Sequence, residues 1–161
     1  MQPAVFDRLV QKLTEAGAAF EVQRHAPVFT SEEAAAVRGT ALASGAKALV
    51  CKADEQFVLI VMPAHRRLAS KSVKKSAGIK NLRFATKEEV EQLTGLAPGS
   101  IPPFGSLFGL ATWCDEALAA QPRINFNAGD HAVSISMAYA DYVHAEQPRV
   151  GKYADEPAAT G

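Results

Sequence analysis

Two apolar runs, KALVCKA (residues 47–53) and FVLIVMPA (57–64), stand three residues apart. Both are rich in β-branched and aliphatic side chains, and Asp54-Glu55-Gln56 between them is turn chemistry, so they read as a hairpin. A strand with one wet face alternates polar and apolar residues. A nearly continuous apolar run needs cover on both faces. At least the second strand is therefore central, and Pro63 ends it.

The rest of the chain supplies that cover. Val5, Leu9, Val10 and Leu13 recur at helical spacing. This predicts a helix over 3–16, with Pro3 in its first turn and Gly17 as its stop. AAFEVQRH reads as a short strand with Phe20 and Val22 on one side. Thr30 followed by Glu33 is a capping-box pattern opening a helix that ends at Gly39. RLASKSVKKSAG predicts a helix closed by Gly78, and LRFA a short strand. Thr86 with Glu89 repeats the capping pattern for a helix ending at Gly95. LFGLATW, RINFNAG and AVSISMAY are further strand candidates, and ADYV a last helical turn. Helices and strands mix irregularly, which favours an α+β fold with a mixed sheet over a βαβ array. One domain is expected over 1–145, and the polar, Pro/Gly-rich stretch 146–161 as a flexible tail.

Several functional classes fall away. No apolar run approaches the roughly 18 residues that span a bilayer, and MQPAVFDRLVQKL lacks a signal-peptide core. A cytoplasmic protein with no membrane partner is expected. Cys51 and Cys114 stand alone, so neither a disulfide framework nor a metal site is expected. HxxxH, GxSxG, GxGxxG and Walker A patterns are absent. Lysine plus arginine equals aspartate plus glutamate, 17 against 17. That excludes a general coat of positive charge, though not a local patch.

A local patch does stand out. No acidic residue occurs between Glu55 and Glu88, where eight lysines and arginines fall. Among them Lys71, Lys74 and Lys75 share one helix face. This is either a solvated face or a docking face for phosphates. Lys47, at the head of an apolar strand, is equally open. It either snorkels out at the strand end or is held at a pocket rim, where its ammonium would stabilise an anionic or carbonyl oxygen. The loop PGSIPPFG (98–105) is stiff at its prolines and exposes backbone at its glycines. It either turns the chain or offers N–H groups to a ligand.

In order, HAPVFTSEEAA, GAKALV, FVLIVMPAHRRL, GIKNLRFATKEEVEQLTGLAPGSIPPFG and FNAG together resemble the YbaK/ProRS-associated domain family, freestanding relatives of the editing domain of bacterial prolyl-tRNA synthetase. The resemblance covers roughly residues 20–145. It implies a strongly curved mixed sheet flanked by helices, and trans-editing hydrolysis of mischarged aminoacyl-tRNA, without a cofactor. Lys47 falls on the family's essential lysine. Gly99 and Pro103 fall on its GxxxP loop, which Phe104 and Gly105 continue. Asn127 and Gly129 lie where the family closes the pocket near the terminal adenosine, with His131 beside them, and Thr30 joins these as a substrate-binding residue. Arg66, Arg67, Lys71, Lys74 and Lys75 would meet the acceptor stem. Serine, threonine or alanine is favoured over cysteine as the amino acid removed. The expected partners are the acceptor end of aminoacyl-tRNA and a synthetase such as prolyl-tRNA synthetase, not DNA. The competing expectation is a non-catalytic module that binds tRNA ends or a nucleotide as a synthetase partner.

Overall fold

The two apolar runs form adjacent antiparallel strands, β2 (Ala46–Ala53) and β3 (Gln56–Pro63), in a computed structural model that describes residues 4–156. Asp54 takes a positive φ of 52° in the turn between them, a conformation that Asp tolerates. Its carboxylate accepts the main-chain N–H groups of Lys80 and Asn81 at 3.1 and 2.8 Å. That ties the hairpin tip to the next strand, β4 (Leu82–Phe84).

β3 is central, with a core on each face. Leu59 and Val61 join Leu9, Leu13, Phe104 and Phe126, while Val58, Ile60 and Met62 join Val73, Trp113 and Tyr153. The five-stranded sheet runs β4-β2-β3-β5-β8, where β5 is Ala111–Asp115 and β8 is Arg149–Gly151. The β3–β5 and β5–β8 pairs are parallel, so the sheet is mixed. A three-stranded antiparallel sheet has β7 (Val133–Ala138) between β1 (Phe20–Arg24) and β6 (Arg123–Asp130). Where the resemblance implies one strongly curved sheet, the described strands form two, which meet at a parallel bridge between Gly45 and Asn125.

α1 spans Val5–Glu15 and buries Leu9 and Leu13; Pro3 lies outside the described residues. Thr30 caps α2 (Ser31–Arg38) by accepting the Glu33 N–H, and Gly39 ends it at φ 71°. Thr86 and Glu89 form a complete capping box for α4 (Lys87–Thr94). α3 (Ser70–Ala77) and α5 (Tyr139–Glu146) complete the fold. LFGLATW is strand only from Ala111; Gly105–Phe108 is a 3-10 turn.

The expected tail from Glu146 is a correction. Glu146 still belongs to α5, and β8 adds an edge strand beyond it. Tyr153 and Ala154 are fully buried, and Tyr153 stacks on Trp113 at 5.7 Å. The physical cause is Asp115. Its buried carboxylate accepts the N–H groups of Tyr153 and Ala154, both at 2.8 Å, and of Ala117 at 3.0 Å. A buried carboxylate needs such donors, and the C-terminal segment supplies two of them. Residues 157–161 of the expected tail lie outside the described residues.

Candidate active site

β2 is paired along its whole length by β3, but β4 covers only Cys51–Ala53 on the other edge. At the uncovered part lies a cavity of about 160 Å³. Its wall comprises Ala46–Leu49 of β2, Phe29–Ser31, Ala34 and Arg38 at α2, Ala64 after β3, Gly99 and Ile101 of the proline loop, and Asn127 of β6. Of the sequence candidates, Lys47, Thr30, Gly99 and Asn127 thus border one cavity.

Lys47 is half-buried. Among the described residues its ammonium has no hydrogen-bond or ion-pair partner. Burial pushes it below the usual lysine range, partly offset by the negative charges of Asp155 and Glu32, while the nearby Arg67 pushes it further down. Strand alternation sends Ala46 and Ala48 into the core that holds Ile101, and Lys47 to the opposite face. Because the cavity sits at the strand edge, both faces border it.

The second cation is Arg38, which the sequence reading missed. Its Nε donates to Ser134 Oγ at 2.8 Å and its Nη2 to Asn127 Oδ1 at 3.0 Å. Asn127 in turn donates its Nδ2 to the Gly99 carbonyl at 2.6 Å. Ser134 Oγ also meets His25 Nε2 at 2.8 Å. Among the described residues no carboxylate pairs with Arg38, and burial lowers its pKa to about 10, so it stays a cation at neutral pH. A basic residue in the last turn of a helix looks like an ordinary partner for the helix dipole. Only the packing of α2 against β6 and β7 gives it this other role.

Gly99 has φ +90°, which a side chain there would strain. The loop after it divides in two. Ser100 donates its N–H to Ala97 O, Phe104 to Pro102 O, and Gly105 to Thr112 Oγ1. Among the described residues Gly99 and Ile101 keep unpaired N–H groups, and both border the cavity. Pro103, Phe104 and Gly105 do not line it. The Pro103 carbonyl accepts from the buried Tyr142 hydroxyl at 2.8 Å, and Phe104 packs edge-on against Phe126 and Tyr142. A Cβ on Gly105 would stand 2.6 Å from Thr112 Oγ1. These residues anchor the loop to the core.

Gly129 is also off the cavity wall. It sits at a bulge in β6 with φ +89° and donates its N–H to Ser100 O at 2.9 Å, bracing the loop from behind. His131 backs the wall instead of lining it. Its ring lies 4.7 Å from that of Phe29, its Cε1 faces Gly99, and among the described residues its buried Nδ1 has no partner. Phe29, 72% exposed at the cavity lip, was also missed by the sequence reading.

Of the basic candidates, Arg67 is close enough to act on Lys47. Arg66 donates to the Asp155 carbonyl, and the Asp155 carboxylate accepts the Arg67 N–H. The C-terminal segment, expected to be loose, thus helps set the field at Lys47. Lys71 and Lys75 are exposed on α3 and Lys74 is half-buried. Cys51 and Cys114 are buried free thiols, pushed up to about 12 by burial and so unreactive at neutral pH. Among the described residues no group of three His, Cys, Asp or Glu could hold a metal ion, and no helix is long and apolar enough to cross a membrane.

The arrangement is a small cavity bordered by two cations and by unpaired amides. Comparison with known proteins gives it a context. Over 148 residues the chain is 36% identical to the multifunctional Ser/Thr-tRNA deacylase ProXp-y of Escherichia coli (strain K12), covering 89% of each chain. It is 32% identical over 114 residues to a proline–tRNA ligase of Bacillus licheniformis, covering 68% of this chain and 20% of the ligase. The fold matches a crystal structure described as a candidate trans-editing enzyme for prolyl tRNA synthetase, with a TM-score of 0.84, 24% identity and coverage of 97% of this chain and all of the other. Residues 25–145 match the family model of the aminoacyl-tRNA editing domain, and the chain belongs to that family.

Proposed function

We propose that this protein is a freestanding deacylase that removes a small amino acid, with serine and threonine favoured, from mischarged tRNA. The observation that carries the reading is Lys47, an ammonium without a partner among the described residues, which borders the same small cavity as the unpaired Gly99 and Ile101 amides. The likeness to the E. coli Ser/Thr-tRNA deacylase supports the amino-acid class. Alanine remains among the substrates to test, and cysteine the less favoured one.

The chemistry needs little more than this. An aminoacyl ester is already activated, so orientation and charge stabilisation suffice. Water attacks the acyl carbon, and the carbonyl oxygen takes on negative charge. The bond from that carbon to the ribose oxygen then breaks. The ribose oxygen leaves with a proton, and free amino acid and tRNA result. Lys47 offsets negative charge at the ester carbonyl or the adjoining CCA-end phosphate, and the loop amides add hydrogen bonds to it. Four alanines, at 34, 46, 48 and 64, line the wall, and the cavity volume of about 160 Å³ suits a short side chain. Thr30 and Asn127 border the bound end, and His131, through Phe29, braces its lip. Arg66, Arg67, Lys71, Lys74 and Lys75 carry the acceptor stem by phosphate contacts. A substrate of this kind places the protein in the cytoplasm, in reach of a synthetase such as the prolyl enzyme.

The test is deacylation of purified Ser-, Thr-, Ala- and Cys-charged tRNAs by the purified chain. Release of serine or threonine well above the uncatalysed rate is expected. Binding of every tRNA with release from none would overturn the reading in favour of a binding module.

A further inference from the structure

The uncovered edge of β2 has a feature that the lysine and the loop do not account for. Ala85 N–H donates to Val50 O and Asp54 N–H to Asn81 O, both at 2.9 Å. Main-chain groups alternate sides along a strand in an antiparallel pair. Even-numbered residues of β2 therefore direct N–H and C=O toward β4, and odd-numbered ones toward β3. At the start of the same edge, the Gly45–Asn125 bridge brings β6 alongside. Between that bridge and Val50 lies Ala48. Its side chain is buried in the core, and its N–H and C=O point to an edge that neither β4 nor β6 covers. Among the described residues no group bonds to either of them. Unpaired main-chain pairs are rare inside proteins because each costs about a hydrogen bond. This one opens on the cavity wall, between Lys47 and Leu49.

Resting on the deacylase reading, we propose that Ala48 receives the aminoacyl group of the substrate as a one-residue strand. In an antiparallel ladder, two opposed residues exchange both N–H···O=C bonds. An extended aminoacyl ester has the same two groups on one side, the α-amine as donor and the ester carbonyl as acceptor. The Ala48 N–H donates to the ester carbonyl oxygen, and the Ala48 C=O accepts from the α-amine. The first bond strengthens as that oxygen gains charge, so Ala48 shares the oxyanion with Lys47. The second makes the free amine a recognition element. With cations at Lys47 and Arg38, a neutral carbonyl is the acceptor the wall offers it.

Two measurements test this. The first replaces Ala48 by lactic acid, its α-hydroxy analogue, which removes the N–H and keeps the methyl group. Single-turnover deacylation of Ser-tRNA should fall at least tenfold, as on loss of an oxyanion donor, with the affinity for uncharged tRNA within twofold of wild type. The second uses the unaltered protein on tRNA charged with 3-hydroxypropionate, which is serine without its α-amine. The rate enhancement over uncatalysed hydrolysis should be at least tenfold smaller than for Ser-tRNA. The Ala48 change decides where the variant unfolds cooperatively near the wild-type Tm; otherwise the amine comparison decides. A rate within twofold of its reference in the deciding measurement overturns the proposal. A wild-type protein that deacylates none of the charged tRNAs overturns the deacylase reading and this proposal with it. Wild-type activity with no effect in the deciding measurement overturns this proposal alone.

Discussion

Replacing Arg38 by Met should separate stability from activity. Burial lowers the Arg38 pKa from 12.5 to about 10. At 1.36 kcal/mol per pKa unit, holding the charge there costs the fold about 3 kcal/mol. Against this stand the bonds to Ser134 Oγ and Asn127 Oδ1, each worth about 1.5–3 kcal/mol for a charged donor. In Arg38→Met both sides of that balance disappear. Ser134 keeps His25 as a partner, and Asn127, not fully buried, can turn to water. The two bonds together slightly outweigh the burial cost, so the net loss should lie between about 0 and 3 kcal/mol, a Tm fall of no more than about 10 °C for a chain this size. Activity should not be spared, because Asn127 loses the group that fixes its amide against the Gly99 carbonyl. A misplacement of about 1 Å can cost roughly 100-fold, so kcat should fall at least tenfold on Ser-tRNA. Thermal unfolding and single-turnover deacylation read the two quantities. A Tm loss above about 10 °C with kcat intact would refute the reasoning and make Arg38 a strut.

Lys47→Met should be at least as stable as wild type at pH 7. Burial holds the folded-state pKa of Lys47 below 10.5, so the unfolded chain binds more protons just below that value and wild-type stability rises with pH there. The Tm advantage of Lys47→Met should shrink between pH 7 and pH 10, and a variant less stable than wild type at pH 7 would contradict this. Asp115→Ala should cost about 3–5 kcal/mol, because two buried main-chain donors and one half-buried one lose their acceptor. Urea unfolding checks it, and a loss under 1 kcal/mol would detach the C-terminal segment from the fold. Lys74→Ala with Lys75→Ala should weaken tRNA binding and lower the slope of log K against log salt by about 1–2. An unchanged slope places the acceptor stem elsewhere.

What the sequence made legible was local. Thr30 with Glu33 and Thr86 with Glu89 sit three residues apart; the second pair forms the full capping box as read, and the first forms only the bond to the Thr30 hydroxyl. The apolar runs of β2 and β3 announce a strand covered on both faces, and Val133, Ile135 and Met137 alternate into the core of β7. What stayed hidden depends on contacts between residues distant in sequence. Asp115 draws in Tyr153 and Ala154 from 38 and 39 residues away. Tyr153, a lone aromatic in a polar stretch, was the available signal. The proline loop was read as one unit, yet its first half faces the cavity and its second half is buried by Tyr142, Phe126 and Thr112. Arg38 and the open main chain of Ala48 leave no mark in the sequence, because their roles come from the gap between two sheets.

The most direct measurement is deacylation by Lys47→Ala on Ser-tRNA and Thr-tRNA. Among the described residues the ammonium has no partner to strand, so the variant should fold as wild type does. Its far-UV circular dichroism and Tm should be unchanged while release of amino acid drops to near the uncatalysed rate. A folded Lys47→Ala that retains most of the wild-type rate would contradict the account.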